Sequence, residues 1–282
     1  MKKSLSSIIS NVDKLISFPA VANQLISLID NDSTEIEDIA SVIQNDPALT
    51  ASLLKIANSA WFMAREPATS IETAVIRIGL NEIGRIALNI CIQDSFKDIP
   101  ENLLSLSDYF DHSLRAAFAS QETAKRHTTL SNGTMYTAGL LHDIGQLILL
   151  NLYPNESSEA LAINIAEYNG QNLHVVEKQV FGVDHTQVGL ALAKKWNFPP
   201  LLQDCIRHHH TPEQSSNHLE VSCIHIANAI AIMNEFEGEI DDLPDVNPSA
   251  ITACQLDDEK ILALAATSKK LFNENKEKTS IE

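Results

Sequence analysis

This chain is short of cations, aromatic rings, thiols and long apolar runs, and each shortage excludes something. Lysine and arginine number 20 against 37 aspartates and glutamates, a formal net charge of −17. Such a surface repels phosphate backbones, which argues against direct nucleic-acid binding. It leaves room for a small phosphate ligand held by local groups. Of the four cysteines, Cys91, Cys205, Cys223 and Cys254, no two form a CxxC pair. Each lies in an apolar helical stretch, where cysteine reads as a small core residue rather than a thiolate ligand or half of a disulfide. That usage suits a reducing compartment. No window is long and apolar enough for a membrane span, and Met1 to Ser10 has lysines but no leader-like apolar stretch. The expectation is a soluble, cytoplasmic protein with no membrane contact.

Alternating strands, short repeats and heptads are also missing. Helical periodicity is present almost everywhere. Ile36, Ile39, Ala40 and Ile43 share one helix face, and Asp32 with Glu35 offers a capping-box-like start. Asp46-Pro47 reads as an N-cap followed by a first-turn proline, ahead of the stripe Leu49, Leu53, Ile56 and Ala57. Ser70 opens another helix, with Ile71, Ala74, Val75 and Ile78 on one face, and Gly79 stops it; Asn81 starts the next. Ile99-Pro100 marks a boundary. A long helix is predicted from about Leu103 to His127, then a turn at Ser131-Asn132-Gly133, then a helix containing His142 and Asp143. Further helices are predicted near 157–169, 172–180, 186–196, 200–209 and 218–235, with a break at Asn197-Phe198-Pro199-Pro200. An acidic loop from Glu235 to Asn247, two helices after Pro248 and a frayed charged tail from Asn273 complete the reading. The fold class is all-α: an N-terminal helical part over 1–100, a second over 101–235, and a C-terminal loop and helices over 236–282. The length suffices for one large core or two smaller ones.

Inside this apolar helical background, Leu140-Leu141-His142-Asp143-Ile144-Gly145 places an imidazole beside a carboxylate. Buried polar groups need partners, and a divalent ion is a partner that both side chains can bind. Other histidines could converge there. His112 follows Asp108 by one turn on the long helix, so the two share a face. His185 stands where a helix begins. His208, His209 and His210 close another helix, where basic side chains also suit the helix dipole. His127, His174, His218 and His225 have no such context and read as ordinary structural residues. Mixed imidazole and carboxylate donors favour iron, manganese or zinc over calcium, and the lack of thiolates argues against a closed structural zinc site.

Several segments together resemble the HDOD family, the "HD-related output domain" branch of the HD superfamily of metal-dependent phosphohydrolases. They are Phe18-Pro19-Ala20-Val21-Ala22, Ile36 to Ala40 with Ile43 to Thr50, Leu53-Leu54-Lys55-Ile56-Ala57-Asn58-Ser59-Ala60, Ser70 to Leu80, and Gly139 to Gly145. The resemblance covers roughly residues 14 to 210. It implies a helical N-terminal bundle packed on an HD-like helical domain, and a role among bacterial signal-transduction outputs, many of which have lost the metal site.

The active HD-GYP phosphodiesterases add a comparison of positions. By that resemblance His112, His142, Asp143, His185, His208 and His209 are metal ligands, with Asp108, Gln146 and Asn228 supporting them from behind. Two departures weaken catalysis: Gln146 stands where a catalytic lysine follows the His-Asp pair, and Asn228 stands where a last aspartate ligand is expected. The Gly-Tyr-Pro segment is missing after the histidine run, which continues Thr211-Pro212-Glu213. A dinuclear site must offset two divalent ions, so a lost carboxylate weakens hydrolysis more than binding. The leading reading is a stand-alone HDOD regulatory protein. It holds one or two divalent transition-metal ions, iron or manganese, and acts mainly by binding a signalling protein partner or a nucleotide. The rival is a metal-dependent phosphohydrolase of a nucleotide or cyclic dinucleotide, with His142 and Asp143 as its catalytic pair. A third reading is a scaffold with no metal, whose histidines bond one another.

Overall fold

A computed structural model describes residues 5, 7–8, 19–29, 31, 33–62, 66–97, 99, 105–168 and 172–279. Every regular element among them is helical. Helices α1 (Ala20–Leu28), α2 (Ile36–Gln44), α3 (Pro47–Ala57), α4 (Ile71–Ile78) and α5 (Leu80–Phe96) are followed by α6 (Leu106–Ala124), α7 (Asn132–Leu141), α8 (Ile144–Leu152) and α9 (Pro154–Tyr168). Then come α10 (Leu173–Val180), α11 (His185–Lys195), α12 (Pro200–His208), α13 (His218–Glu235), α14 (Pro248–Ala253) and α15 (Asp258–Thr279). The chain divides into two compact units, one of residues 18–95 and 269–282, the other of 1–17 and 96–268.

In the first unit the predicted caps form. Asp46 accepts hydrogen bonds from the backbone N–H groups of Ala48 and Leu49, with Pro47 in the first turn of α3, and Ser70 accepts from the N–H of Thr73. These side chains satisfy donors that the first helical turn leaves unpaired. Gly79 ends α4 at φ +100°, a conformation that costs glycine little. The start of α2 differs from expectation: its N-cap is Glu35, in a capping box with Asp38, and Asp32 lies outside the described residues, as do Phe18 and Pro100. The core is built from fully buried Leu25, Ile39, Ile43, Leu53, Ile71 and Ile83, each contributing about 1.5–3 kcal/mol relative to exposure. The chain end is not the frayed tail expected from Asn273. Helix α15 continues to Thr279, with Phe272 and Asn275 buried and Lys278 placed 3.7 Å from Glu82.

The second unit holds the histidines. The small residues Ala116, Ala117 and Ser120 of α6 let α7 approach so closely that a Cβ on Gly139 would meet Ala116 O at 2.7 Å and Ser120 Oγ at 2.5 Å. Ser120 Oγ also donates to Met135 O at 2.8 Å, tying the two helices. Helix α13 packs along both. The long helix begins at Leu106 after its cap Ser105 and ends at Ala124, three residues short of the predicted His127; Leu103 lies outside the described residues. His142 and Asp143 are not inside a helix, as the periodicity suggested. They form the two-residue break between α7 and α8. All four cysteines are buried and free.

Candidate metal centre

Asp143 is the hub. Its two carboxylate oxygens divide the surrounding imidazoles between them. Oδ1 lies 3.2 Å from His185 Nε2 and 3.3 Å from His209 Nε2. Oδ2 lies 3.3 Å from His142 Nε2 and 3.7 Å from His112 Nε2. Two groups with donor atoms all within 4.8 Å of one another result: Asp143 with His185, His209 and His210, and Asp143 with His112 and His142. A carboxylate with one oxygen toward each group is suited to join two cation positions.

Each of the four central rings is held by its other nitrogen. His142 Nδ1 lies 2.8 Å from Gly139 O, and His209 Nδ1 lies 3.1 Å from Ile206 O. Both acceptors are carbonyls three residues upstream, so Nδ1 carries the proton and donates it, leaving the Nε2 lone pair toward Asp143. His185 Nδ1 meets Glu177 Oε2 at 2.6 Å, and His112 Nδ1 meets Glu235 Oε1 at 2.5 Å. Oxygen acceptors behind Nδ1 are what orients a metal-binding imidazole.

Local sequence explains these placements. Asp184 caps α11 in a box with Gln187, fixing His185 in the first turn, and the His185 backbone N–H donates to Glu177 Oε2 at 2.8 Å. Gly145 opens the way for α8 to press on α11: a Cβ there would fall 2.0 Å from His185 O and 2.7 Å from Gly189 N. Without that approach Asp143 could not reach His185. On α12 the buried stripe Leu202, Cys205, Ile206 continues at helical spacing to His209.

Burial and charge oppose each other throughout the cluster. Burial would raise the Asp143 carboxyl, but the facing His142 and His185 outweigh it and hold it well below the usual carboxylate range. For His185, burial opposes the charge, yet Glu177 and Asp143 raise its pKa well above the ordinary value. For His112, burial likewise opposes, and Glu235 with Asp143 and Asn228 raises it. Burial pushes Glu177 up. Burial also pulls His209 down to about 4, and it pulls His210 well down with help from His209, His185 and His174. Among the described residues, buried His142 Nε2 and Asp143 Oδ1 make no hydrogen bond of ordinary geometry. Buried polar atoms rarely stay unsatisfied, and a shared ion would satisfy both. The donor set therefore fits a divalent transition metal.

Five of the six expected ligands converge: His112, His142, Asp143, His185 and His209. His208 does not. Its Nε2 lies 3.8 Å from Asp204 Oδ1 and it lines a different, outer depression with Arg207 and Asn217. Its neighbour His210 takes the place beside the centre, with Nε2 3.1 Å from His185 Nε2 and its ring stacked on His174 at 4.0 Å. His174, read from sequence as ordinary, thus abuts the site; burial first, then His185, lowers its pKa to about 4. His225 and His218 do hold backbone, through His209 O and Pro212 O. Of the three supporting residues, Gln146 donates to Asp143 Oδ2 at 2.7 Å, and Asn228 acts on His112. Asp108 is exposed on the cavity wall, and among the described residues no histidine is shown donating to its carboxylate. Glu177 and Glu235, which hold His185 and His112, are not among the residues the sequence motifs point to. Glu177 had a signal, a carboxylate on the apolar stripe Leu173, Val176, Val180.

A cavity of about 480 Å³ opens onto His112, Asp143, His185 and His210, with Arg115 on its wall and Ile165 and Phe236 exposed at its lips.

The profile of the HDOD domain family matches residues 15–212, more than half of the chain. The protein belongs to the HDOD domain family. An uncharacterized protein of Treponema pallidum (strain Nichols) is 28% identical over 217 residues, 74% of this HDOD protein and 40% of that relative. The chain thus spans about two fifths of the relative's length. A Shewanella amazonensis SB2B protein provisionally named a phosphohydrolase has a crystal structure similar at TM-score 0.72 and 23% identity, covering 96% of both chains. A Marinobacter aquaeolei VT8 protein provisionally named for signal transduction superposes at TM-score 0.79 and 19% identity, covering 99% of this chain and 62% of the other. At these identities the likeness establishes the HDOD helical fold. No helix among the described residues is long and apolar enough to cross a membrane.

Proposed function

We propose that this HDOD protein is a signalling or regulatory protein that holds one or two divalent transition-metal ions, iron or manganese, and acts mainly by binding. His112, His142, Asp143, His185, His209 and His210 would hold the ions. The observation that carries the reading is the shared posture of four imidazoles: Nδ1 of each faces an oxygen acceptor, and Nε2 of each faces the one carboxylate of Asp143. Bound ions would supply Lewis-acid attraction for an oxyanion in the cavity. The chain's own groups would orient it: Arg115 by charge, Asn228 by an amide hydrogen bond, and Ile165 and Phe236 by apolar contact. A phosphate-bearing small molecule such as a nucleotide fits that division, and a signalling protein partner would read the loaded state.

Hydrolysis of a nucleotide or cyclic dinucleotide is the second reading, favoured by an open cavity that reaches Asp143 and His112 directly. Against it stands Gln146, a neutral amide bonded to Asp143 where a cation would help a phosphoryl group. Metal analysis of protein purified without chelator, followed by nucleotide binding and phosphodiesterase assays on the loaded protein, tests both. Bound iron or manganese with nucleotide binding and no turnover is expected. Turnover establishes the second reading, and absence of metal overturns both.

A further inference from the structure

The imidazoles around Asp143 fall into two pairs of the same construction. On each side one ring is held by a backbone carbonyl and the other by a carboxylate. Facing Oδ1, His209 is tied to Ile206 O and His185 to Glu177. Facing Oδ2, His142 is tied to Gly139 O and His112 to Glu235.

The two sides differ in three respects. Glu177 is sealed, its side chain 4% exposed, whereas Glu235 is 30% exposed. A third imidazole, His210, joins the Oδ1 side. Oδ2 already accepts a hydrogen bond from Gln146, which occupies part of its capacity to face a cation. On α13, Asn228, Ile232 and Glu235 share the face that lines the cavity, as their spacing requires. Asp108 and Asp111 line it as well, but Glu235 is the carboxylate with a described hydrogen bond to a ring of this pair.

Resting on the metal-centred reading above, we infer that the two positions fill in order, the His185–His209–His210 position first, and that Glu235 is the positioning residue that sets the affinity of the second, the His112–His142 position. An anion behind Nδ1 fixes the ring and makes its Nε2 a stronger donor to a cation. More imidazoles and a sealed carboxylate favour the inner position. The outer position, with two imidazoles and one shared carboxylate oxygen, depends on Glu235 for its remaining negative charge. The outer ion is then the exchangeable one, beside the cavity.

The test uses the whole protein, stripped with a chelator and titrated with Co²⁺, followed by calorimetry and by visible ligand-field absorption. Two unequal steps are expected. Glu235→Gln keeps an oxygen acceptor and removes the charge. It should weaken the second step about 10- to 100-fold and leave the first within about threefold. Glu177→Gln should weaken the first step instead. Returning a charge nearby with Asn228→Asp in the Glu235→Gln background should recover the second step. Two equal steps, or a second step unmoved by Glu235→Gln, overturn the inference while the metal-centred reading stands. No cobalt uptake by the unmodified protein overturns both.

Discussion

Gln146 Nε2 donates a hydrogen bond to Asp143 Oδ2 at 2.7 Å, from one turn into the helix that the aspartate precedes. The amide steadies the carboxylate at the centre of five imidazoles without bringing a charge. Glutamine here therefore favours holding Asp143 in place over contacting an anion.

Gln146→Ala removes a bond to an ionised and nearly buried carboxylate. Hydrogen bonds to charged groups contribute about 1.5–3 kcal/mol, and partial exposure of Gln146 puts the expected loss at the lower end. Urea denaturation of the ion-free protein should show that loss. An unchanged midpoint would show that Asp143 is held by the histidines alone.

Metal content should separate two adjacent histidines. His208 faces Asp204, whereas His210 faces His185. His208→Ala should keep the full metal complement, and His210→Ala should lose affinity at the inner position by about tenfold or more. His142→Ala should lose the outer ion. Full retention by that variant would remove His142 from the ligand set.

Ion binding should strengthen as pH rises. Glu177 and Asp143 raise the pKa of His185, and Glu235 and Asp143 raise that of His112, so in the folded, ion-free protein both rings hold a second proton to higher pH than an ordinary imidazole does. A ligating ring must give up its proton, so binding releases protons and gains affinity with each step up in pH until those rings deprotonate unaided. His209, held near 4, keeps its single proton on Nδ1 and has none on Nε2 to release. Calorimetry in buffers of different ionisation enthalpy should detect proton release; proton uptake would contradict the assignment.

Gly145→Ala should be severe. Its Cβ would fall 2.0 Å from the carbonyl oxygen of His185, which is backbone on both sides of the contact. Overpacking costs about 1–3 kcal/mol and more where backbone must move. Since the displaced residue is itself a candidate ligand, thermal stability and metal uptake should fall together. A variant of normal stability and full metal content would contradict this packing.

The helices α3, α4, α11 and α12 were legible because each combines a cap or proline start with apolar residues at helical spacing, and α13 was legible from its apolar residues alone. Asp46 and Ser70 cap as read, and Asp184 fixes His185 at a helix start. The break at His142-Asp143 was illegible because Leu140, Leu141 and Ile144 continue the apolar run across it. Periodicity registers hydrophobicity and not the two residues where the chain turns. The continuation of α15 to Thr279 was hidden for the opposite reason: its last turns are charged, and their support comes from the burial of Phe272 and Asn275 and an ion pair to Glu82, far away in sequence.

By itself, the sequence determined the all-α class, the family and five of the converging side chains, since helical period, caps and local motifs are written in neighbouring residues. Tertiary structure alone decided that His210, past the end of α12, faces the centre while His208 turns to Asp204, because the buried stripe of that helix leads only to His209. It also decided that Glu177 and Glu235 stand behind His185 and His112. Those contacts join residues 8 and 123 positions apart. Such pairs form only when packing brings separate helices together, and no local pattern encodes them.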